Sequence, residues 1–313
     1  MRAIILKEAG SHEQLQLAQI EKPTLKPDEV LIRSKALSIN PVDMKTRLGK
    51  SFYNEFKSKY DPIILGWDVS GIVESVGENV KKFKAGDAVF GMVNFPGHGK
   101  AYAEYVAAPA AHLALKPANV SHEQAAAATL AALTAYQVLS RHVKKGDRVL
   151  IHAAAGGVGH FAVQIAKILG AEVTGTASEK NIGFVESLGA GHIIDYQKQP
   201  IESVAGDFDF VLDTLSGETL YKSIPTVKKG GTIITLPSAG FDQKMTEAGK
   251  QNGIHIAFEM VESNGKDMQQ IADWLATGTL KAEVSQVFPL EKLPEAHASL
   301  ETGRTRGKIA ITL

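Results

Sequence analysis

The run Val149-Leu150-Ile151-His152-Ala153-Ala154-Ala155-Gly156-Gly157-Val158-Gly159-His160-Phe161 constrains the fold more than any other part of the chain. An apolar stretch ends in a glycine-rich turn. The turn opens a segment that puts Phe161, Ile165, Ile168 and Leu169 on one helical face. Strand, turn and helix in that order are the setting of a dinucleotide fingerprint. Ala154 stands where the first glycine belongs, and Gly156 and Gly159 are the other two. Gly156, followed by Gly157 and Val158, permits close approach of the backbone to a pyrophosphate, and Gly159 lets the helix lie near the strand. The helix N-terminus offers unpaired N–H groups and a partial positive charge to an anion. A ligand-free glycine turn has the same spacing, so the nucleotide reading leans on what surrounds it.

What surrounds it is a regular alternation. Strands are predicted over 148–153, 172–177, 192–195, 208–213 and 232–236, with helices over 161–169 and 181–188 between them. Strands joined by helical crossovers imply a doubly wound parallel sheet. The first third is different. Residues 28–39, 69–76, 88–93 and 101–108 read as short strands, separated by turn chemistry such as Gly77-Glu78-Asn79 and Ala85-Gly86-Asp87. Close-spaced short strands suggest a partly closed barrel or sandwich. The change comes near residue 121, where Ser121 with Glu123 and Gln124 resembles a helix start and residues 125–139 have helical composition. Beyond about 265 the pattern gives one helix, 267–276, and a β-like tail expected to rejoin the first domain. The resulting division is 1–121, 122–265 and 266–313.

Composition removes several function classes. Thirty-four basic residues balance 34 acidic ones, and no basic stripe is present, which argues against a nucleic-acid partner. The run Lys81, Lys82, Lys84 reads as a solvated turn. There is no cysteine, so disulfides and cysteine-ligated zinc or iron–sulfur sites are excluded. This fits a reducing compartment, and a cytoplasmic location is expected. The N-terminus reaches charge too early for a signal peptide, and the Ala-rich stretch is too short for a membrane span.

The end of the second predicted strand bears on which dinucleotide is bound. An NAD site wants an acid there to hold the ribose hydroxyls. The strand instead ends Thr174-Gly175-Thr176-Ala177-Ser178. Ser178 and Lys180 are suited to bind and neutralise a 2′-phosphate, which favours NADPH. Two alternatives stay open. Ser178 can simply cap the next helix, and Glu179 becomes an NAD acid if the alignment moves by one residue. In doubly wound sheets ligands gather beyond strand C-termini, which marks Leu215 and Ser238 as further cofactor candidates.

Together with the glycine turn, Asn40-Pro41-Val42-Asp43, Gly66-Trp67-Asp68-Val69-Ser70-Gly71, Gly86-Asp87-Ala88-Val89, Ala101-Tyr102-Ala103-Glu104-Tyr105-Val106 and Arg306-Gly307-Lys308 give the chain a family likeness. It resembles the zinc-free quinone oxidoreductase branch of the medium-chain dehydrogenase/reductase superfamily over nearly its whole length. The resemblance implies an α/β protein with a GroES-like β-rich catalytic domain and a Rossmann domain. Zinc-dependent relatives place a ligand cysteine where Asn40 stands and Gly-His-Glu where Gly66-Trp67-Asp68 stands, so no metal is expected.

Without a metal, acceptors that are already electrophilic suit the site: quinones and α,β-unsaturated carbonyls, which take hydride at carbon while charge moves to oxygen. The resemblance implies that Asn40 faces the nicotinamide and the substrate, which makes it the donor candidate. Asp43 and Asp68 read as loop-holding residues. Tyr53 is a candidate to line the cleft, with a packing aromatic the equal alternative. Thr134, Phe258 and Arg306 match segments that reach the cofactor in relatives. A homodimer pairing through 254–261 is implied too, although that run also suits a buried strand. An enoyl-thioester reductase and a non-catalytic NADPH-binding accessory or sensor protein are the other readings.

Overall fold

The computed structural model describes residues 1–204, 207–236 and 241–313. They form two compact units, Met1–Leu133 with Glu262–Leu313, and Thr134–Val261. In the first unit, β1 (Arg2–Leu6) pairs antiparallel with β2 (Leu15–Gln19). Then come β3 (Glu29–Ser38), α1 (Pro41–Arg47), α2 (Tyr53–Lys59), β4 (Asp68–Val76), β5 (Ala88–Met92), β6 (Tyr105–Pro109), β7 (Ala114–Leu115) and α3 (His122–Ala127). Helix α4 (Leu130–His142) leads into the second unit.

The second unit is built on β8 (Arg148–Ile151), α5 (Gly159–Ile168), β9 (Glu172–Ala177), α6 (Ile182–Ser187), β10 (His192–Asp195), β11 (Phe208–Asp213), α7 (Glu218–Ser223), β12 (Val227–Thr235), α8 (Gln243–Asn252) and β13 (His255–Phe258). Its six strands are parallel and ordered β10-β9-β8-β11-β12-β13. In chain order that is 3-2-1-4-5-6, the dinucleotide-binding arrangement, and the reversal of direction falls between β8 and β11. Near-continuous apolar strands fit a sheet covered on both faces. Leu150, Val211, Ile233 and Ile256 are buried in one core with Leu220 and Met245 from the helices.

The chain returns through α9 (Gly265–Thr277), β14 (Val284–Pro289), α10 (Leu293–Glu301) and β15 (Lys308–Thr312). Strands β14 and β15 belong to a seven-stranded sheet ordered β14-β15-β3-β4-β5-β7, with β6 also on β3. Strand β3 is the hub. Residues Ala36–Ser38 pair with β15, Glu29–Arg33 pair with β6, and β4 runs along the strand. Val30, Ile32, Ala36 and Leu37 are fully buried, while Arg33 on the same strand is exposed.

Three expectations need correction. The Ala-rich stretch is two helices, not one. Thr129 Oγ1 donates to Ala126 O at 2.8 Å, and Leu130 N–H donates to Asp68 Oδ1 at 3.0 Å, so a side chain closes the first helix and a distant carboxylate caps the second. The strand expected over 101–108 begins only at Tyr105; before it, Ala103 makes a single bridge to Ala3. Beyond residue 265 there are two helices, since Pro294 sits in the first turn of α10, where a missing N–H costs no hydrogen bond. Helices α1, α2, α7 and α8 lie outside the helices expected from the sequence, although Pro41 stands at the start of α1 and Asp43 accepts the Asn40 N–H at 2.6 Å.

Candidate functional site

In the second unit the glycine turn leaves β8 and enters α5 at the reversal point of the sheet. Ala153 takes a left-handed backbone, φ +47°. Its N–H is held by Thr176 Oγ1 at 3.0 Å and that of Ala154 by Thr176 O at 2.9 Å, so β9 fixes the turn. A Cβ on Gly159 would stand 2.1 Å from Ala153 O, which confirms its packing role. A Cβ on Gly156 would meet Ala153 O at 3.1 Å and Ala153 Cβ at 3.9 Å, so little inside the protein demands glycine there. Among the described residues, the N–H groups of Gly157 and Val158 have no acceptor. A glycine that the interior hardly requires, followed by free N–H donors at a helix start, fits a bound phosphate.

His152 stiffens the strand end that carries this turn. Ser223 Oγ gives its one proton to Thr219 O at 2.7 Å, so His152 Nε2–H must donate to Ser223 Oγ, also at 2.7 Å. Burial lowers the imidazole to about 4 and keeps it neutral.

At the end of β9, Ser178 occupies the cap position of a short 3-10 turn but makes no side-chain cap bond; instead Asn181 Nδ2 donates to its hydroxyl at 3.3 Å. Lys180 is exposed. Glu179, the alternative acid, is paired with Lys198 at 2.9 Å. After β11, Leu215 is 53% exposed and its N–H donates to Asp213 Oδ1 at 3.1 Å. Asp213 also accepts from Ser216 N and from Thr235 Oγ1, which ties the loop to β12. Phe258 ends β13 opposite Thr235, and Thr134 is buried on α4. Ser238 lies outside the described residues.

In the first unit the sequence motifs converge on Asn40, which is 1% exposed and caps α1. Its N–H donates to Asp43 Oδ2 at 2.6 Å, and its Nδ2 donates to Asp68 Oδ2 at 2.7 Å. Lys308 Nζ donates to Asn40 Oδ1 and, at 2.8 Å, to Ile39 O. A lysine ammonium cannot accept and a carboxylate cannot donate, so the orientation of the amide is fixed. Burial raises the Asp68 carboxyl against the pull of Lys308. Burial first, and the neighbouring Asp68 second, raise the Asp43 carboxyl to about 7. Beside Asp43, the buried Tyr102 hydroxyl lies 3.0 Å from His297 Nε2, and burial lowers His297 to about 3. Lys308, Tyr102 and His297 had no assigned role; the signal available was Lys308 inside the Arg306-Gly307-Lys308 motif. Asp43 and Asp68 hold loops as expected and also share this polar cluster.

Tyr53 begins α2, is 7% exposed, and accepts the Ala9 N–H at 3.0 Å. Arg306 pairs with Glu283 at 2.6 Å.

Zinc does not fit these residues. Asn40, where zinc-dependent relatives have a ligand cysteine, and Asp68, in the place of their Gly-His-Glu motif, already surround a lysine cation. Trp67, where that motif has its histidine, is buried with its indole N–H on Gly97 O at 2.6 Å. Among the described residues no three His, Cys, Asp or Glu side chains group to hold an ion.

Comparison with known proteins agrees with this layout. Residues 26–118 match the alcohol dehydrogenase GroES-like domain, and residues 188–311 match a family described as zinc-binding dehydrogenase. The chain is 36% identical to 2-methylene-furan-3-one reductase of Solanum lycopersicum, over 99% of this chain and 79% of the relative. The solved quinone oxidoreductase of Coxiella burnetii superposes with a TM-score of 0.94 at 35% identity, covering 100% of this chain and 99% of that one. The Escherichia coli quinone oxidoreductase solved in complex with NADPH has a TM-score of 0.88 at 26% identity, with both chains fully covered.

Proposed function

The chain belongs to the quinone oxidoreductase branch of the medium-chain dehydrogenase/reductase superfamily, and from that membership we propose that it is an NADPH-dependent, zinc-independent reductase of quinones and α,β-unsaturated carbonyls. The observation that carries the proposal is the Asn40 amide, locked between Asp68 and Lys308 at the position of a zinc-ligand cysteine.

The residues divide the work by chemistry. The Gly156, Gly157 and Val158 backbone would hold the pyrophosphate, and Ser178 with Lys180 the 2′-phosphate. Thr134, Leu215, Ser238, Phe258 and Arg306 would complete the cofactor contacts, Arg306 by leaving Glu283. Bound there, the dinucleotide supplies the hydride. Asn40 Nδ2 has two hydrogens and spends one on Asp68. Its other N–H donates to the oxygen on which the acceptor gathers negative charge, a fixed donor of the kind worth about 10²–10³ in rate. Tyr53, whose oxygen is occupied by Ala9 N–H, keeps its own O–H proton to give and would line the acceptor pocket.

The reduced cofactor and a cysteine-free chain suit the cytoplasm. Among the described residues no helix is long and apolar enough to cross a membrane. A homodimer would pair through β13, which lies at an edge of the six-stranded sheet.

The test is fluorescence titration with NADPH and NADH, followed by 9,10-phenanthrenequinone and a simple enone while nicotinamide absorbance is followed. Tighter NADPH binding with acceptor-dependent oxidation, unchanged by chelator, is the expected result. Tight binding with no oxidation by either acceptor would move the function to an accessory or sensor role. Turnover of CoA thioesters alone would move it to thioester reduction.

A further inference from the structure

Arg47 and Lys308 are buried cations of the first unit, and Lys308 is the one bonded to the Asn40 amide. It is 3% exposed. Strand pairing brings it to the site. Ala310 of β15 lies opposite Ser38 of antiparallel β3, so two residues back on one strand and two onward from the other bring Lys308 beside Asn40. Its Nζ meets Ile39 O at 2.8 Å, Asn40 Oδ1, and Asp68 Oδ2 at 3.8 Å. Nζ donates to Ile39 O and Asn40 Oδ1 and pairs with the Asp68 carboxylate beyond hydrogen-bond distance, and the carbonyl and amide oxygens accept but cannot donate.

We propose that Lys308 is a positioning residue that fixes the direction of the Asn40 amide and strengthens its free N–H as a donor. This rests on the reading of Asn40 as the group that meets the acceptor oxygen. Two physical effects combine. Only Oδ1 can face Lys308, so Nδ2, at the other corner of the planar amide, is held against Asp68. A cation bonded to the amide oxygen also draws electron density from the nitrogen, which polarises the remaining N–H. The lysine thus supplies locally, through one side chain, an electrostatic bias toward negative charge. Removing it frees the amide to turn and leaves Asp68 buried without its cation.

The experiment compares wild type, Asn40→Ala, Lys308→Met, Lys308→Arg and the Asn40→Ala/Lys308→Met double variant, with saturating NADPH and 9,10-phenanthrenequinone. Circular dichroism establishes folding, and NADPH Kd is measured separately. Asn40→Ala is expected to lower kcat by about 10²-fold. Lys308→Met is expected to lower kcat by about 10- to 100-fold, as for the outer partners that orient metal ligands, with NADPH Kd unchanged. Lys308→Arg restores most of the rate. The double variant is no slower than Asn40→Ala alone, because the lysine acts through the amide. If Lys308→Met does not fold, Lys308→Gln, which keeps a donor without the charge, gives the same ordering with a smaller loss. A wild-type kcat in the neutral Lys308 variant beside a slow Asn40→Ala overturns the positioning role, as do losses that multiply in the double variant. A wild-type kcat in Asn40→Ala overturns the donor reading and this inference with it.

Discussion

Gly159 lies so close to Ala153 that a Cβ built on it would stand 2.1 Å from the Ala153 carbonyl oxygen. Gly156, three residues earlier in the same turn, has only a 3.1 Å contact to that oxygen. The two glycines therefore answer to different demands, one from the protein and one from a ligand. Gly159→Ala should cost stability, by about 1–3 kcal/mol, and weaken nucleotide binding. Gly156→Ala should leave the unfolding temperature of the free protein nearly unchanged and still weaken NADPH binding. Thermal unfolding of both variants, without and with NADPH, tests this. Equal destabilisation of the two free proteins would refute the distinction.

Lys180 is exposed beside Ser178 at the end of β9, while Glu179 is engaged by Lys198. Lys180→Ala should weaken NADPH binding by about 10- to 100-fold, since a charge-assisted hydrogen bond is worth about 1.5–3 kcal/mol, and leave NADH nearly unaffected. The NADPH part should shrink as salt is raised. Equal losses for both cofactors would remove Lys180 from the 2′-phosphate.

Asp43 is buried with its carboxyl raised to about 7. Between the unfolded value near 4 and about 7, the folded state binds the proton that the unfolded state has released. This group's contribution to stability therefore falls as pH rises through that window and stays low above it. Asp43→Asn keeps an oxygen for the Asn40 N–H and removes the ionisation. The variant should gain stability over wild type at pH 8, and gain less at pH 5, as read by thermal unfolding at both values. A constant difference across pH would mean that Asp43 does not titrate in that window.

Three buried histidines act in the opposite sense. His98 and His152 are lowered to about 4 and His297 to about 3, each by burial first. The unfolded chain takes up their protons below about 6.5, where the folded one does not. Stability present above that pH should drain as pH falls toward 4. His297→Gln should reduce the steepness of that loss in acid unfolding curves. An unchanged slope would show that His297 ionises freely in the folded protein.

Much of the second unit was legible because its signals are local. The glycine turn, the apolar strands and the face of α5 each depend on residues within a few positions of one another. The break at Thr129 was not legible, because Ala-rich composition favours one helix and the group that caps the second, Asp68, lies 62 residues away. The α10 start was hidden by Pro294, which reads as a breaker until its place in the first turn is known. Around Asn40, the sequence marked Asp43 and Asp68 as loop-holding residues but offered no reason to join Lys308 to them.

By itself, then, the sequence determined the βα alternation, the phosphate-binding turn, the missing strand-end acid and the lack of any cysteine ligand. Each of these is set by neighbours in the chain or by composition. Only the tertiary structure decided what Asn40 touches. Its two side-chain partners stand 28 and 268 residues away, and they meet there because β4 and β15 both pair with β3. Strand pairing between distant segments is chosen by burial of whole faces at once, so no local pattern around Asn40 encodes the cation beside it.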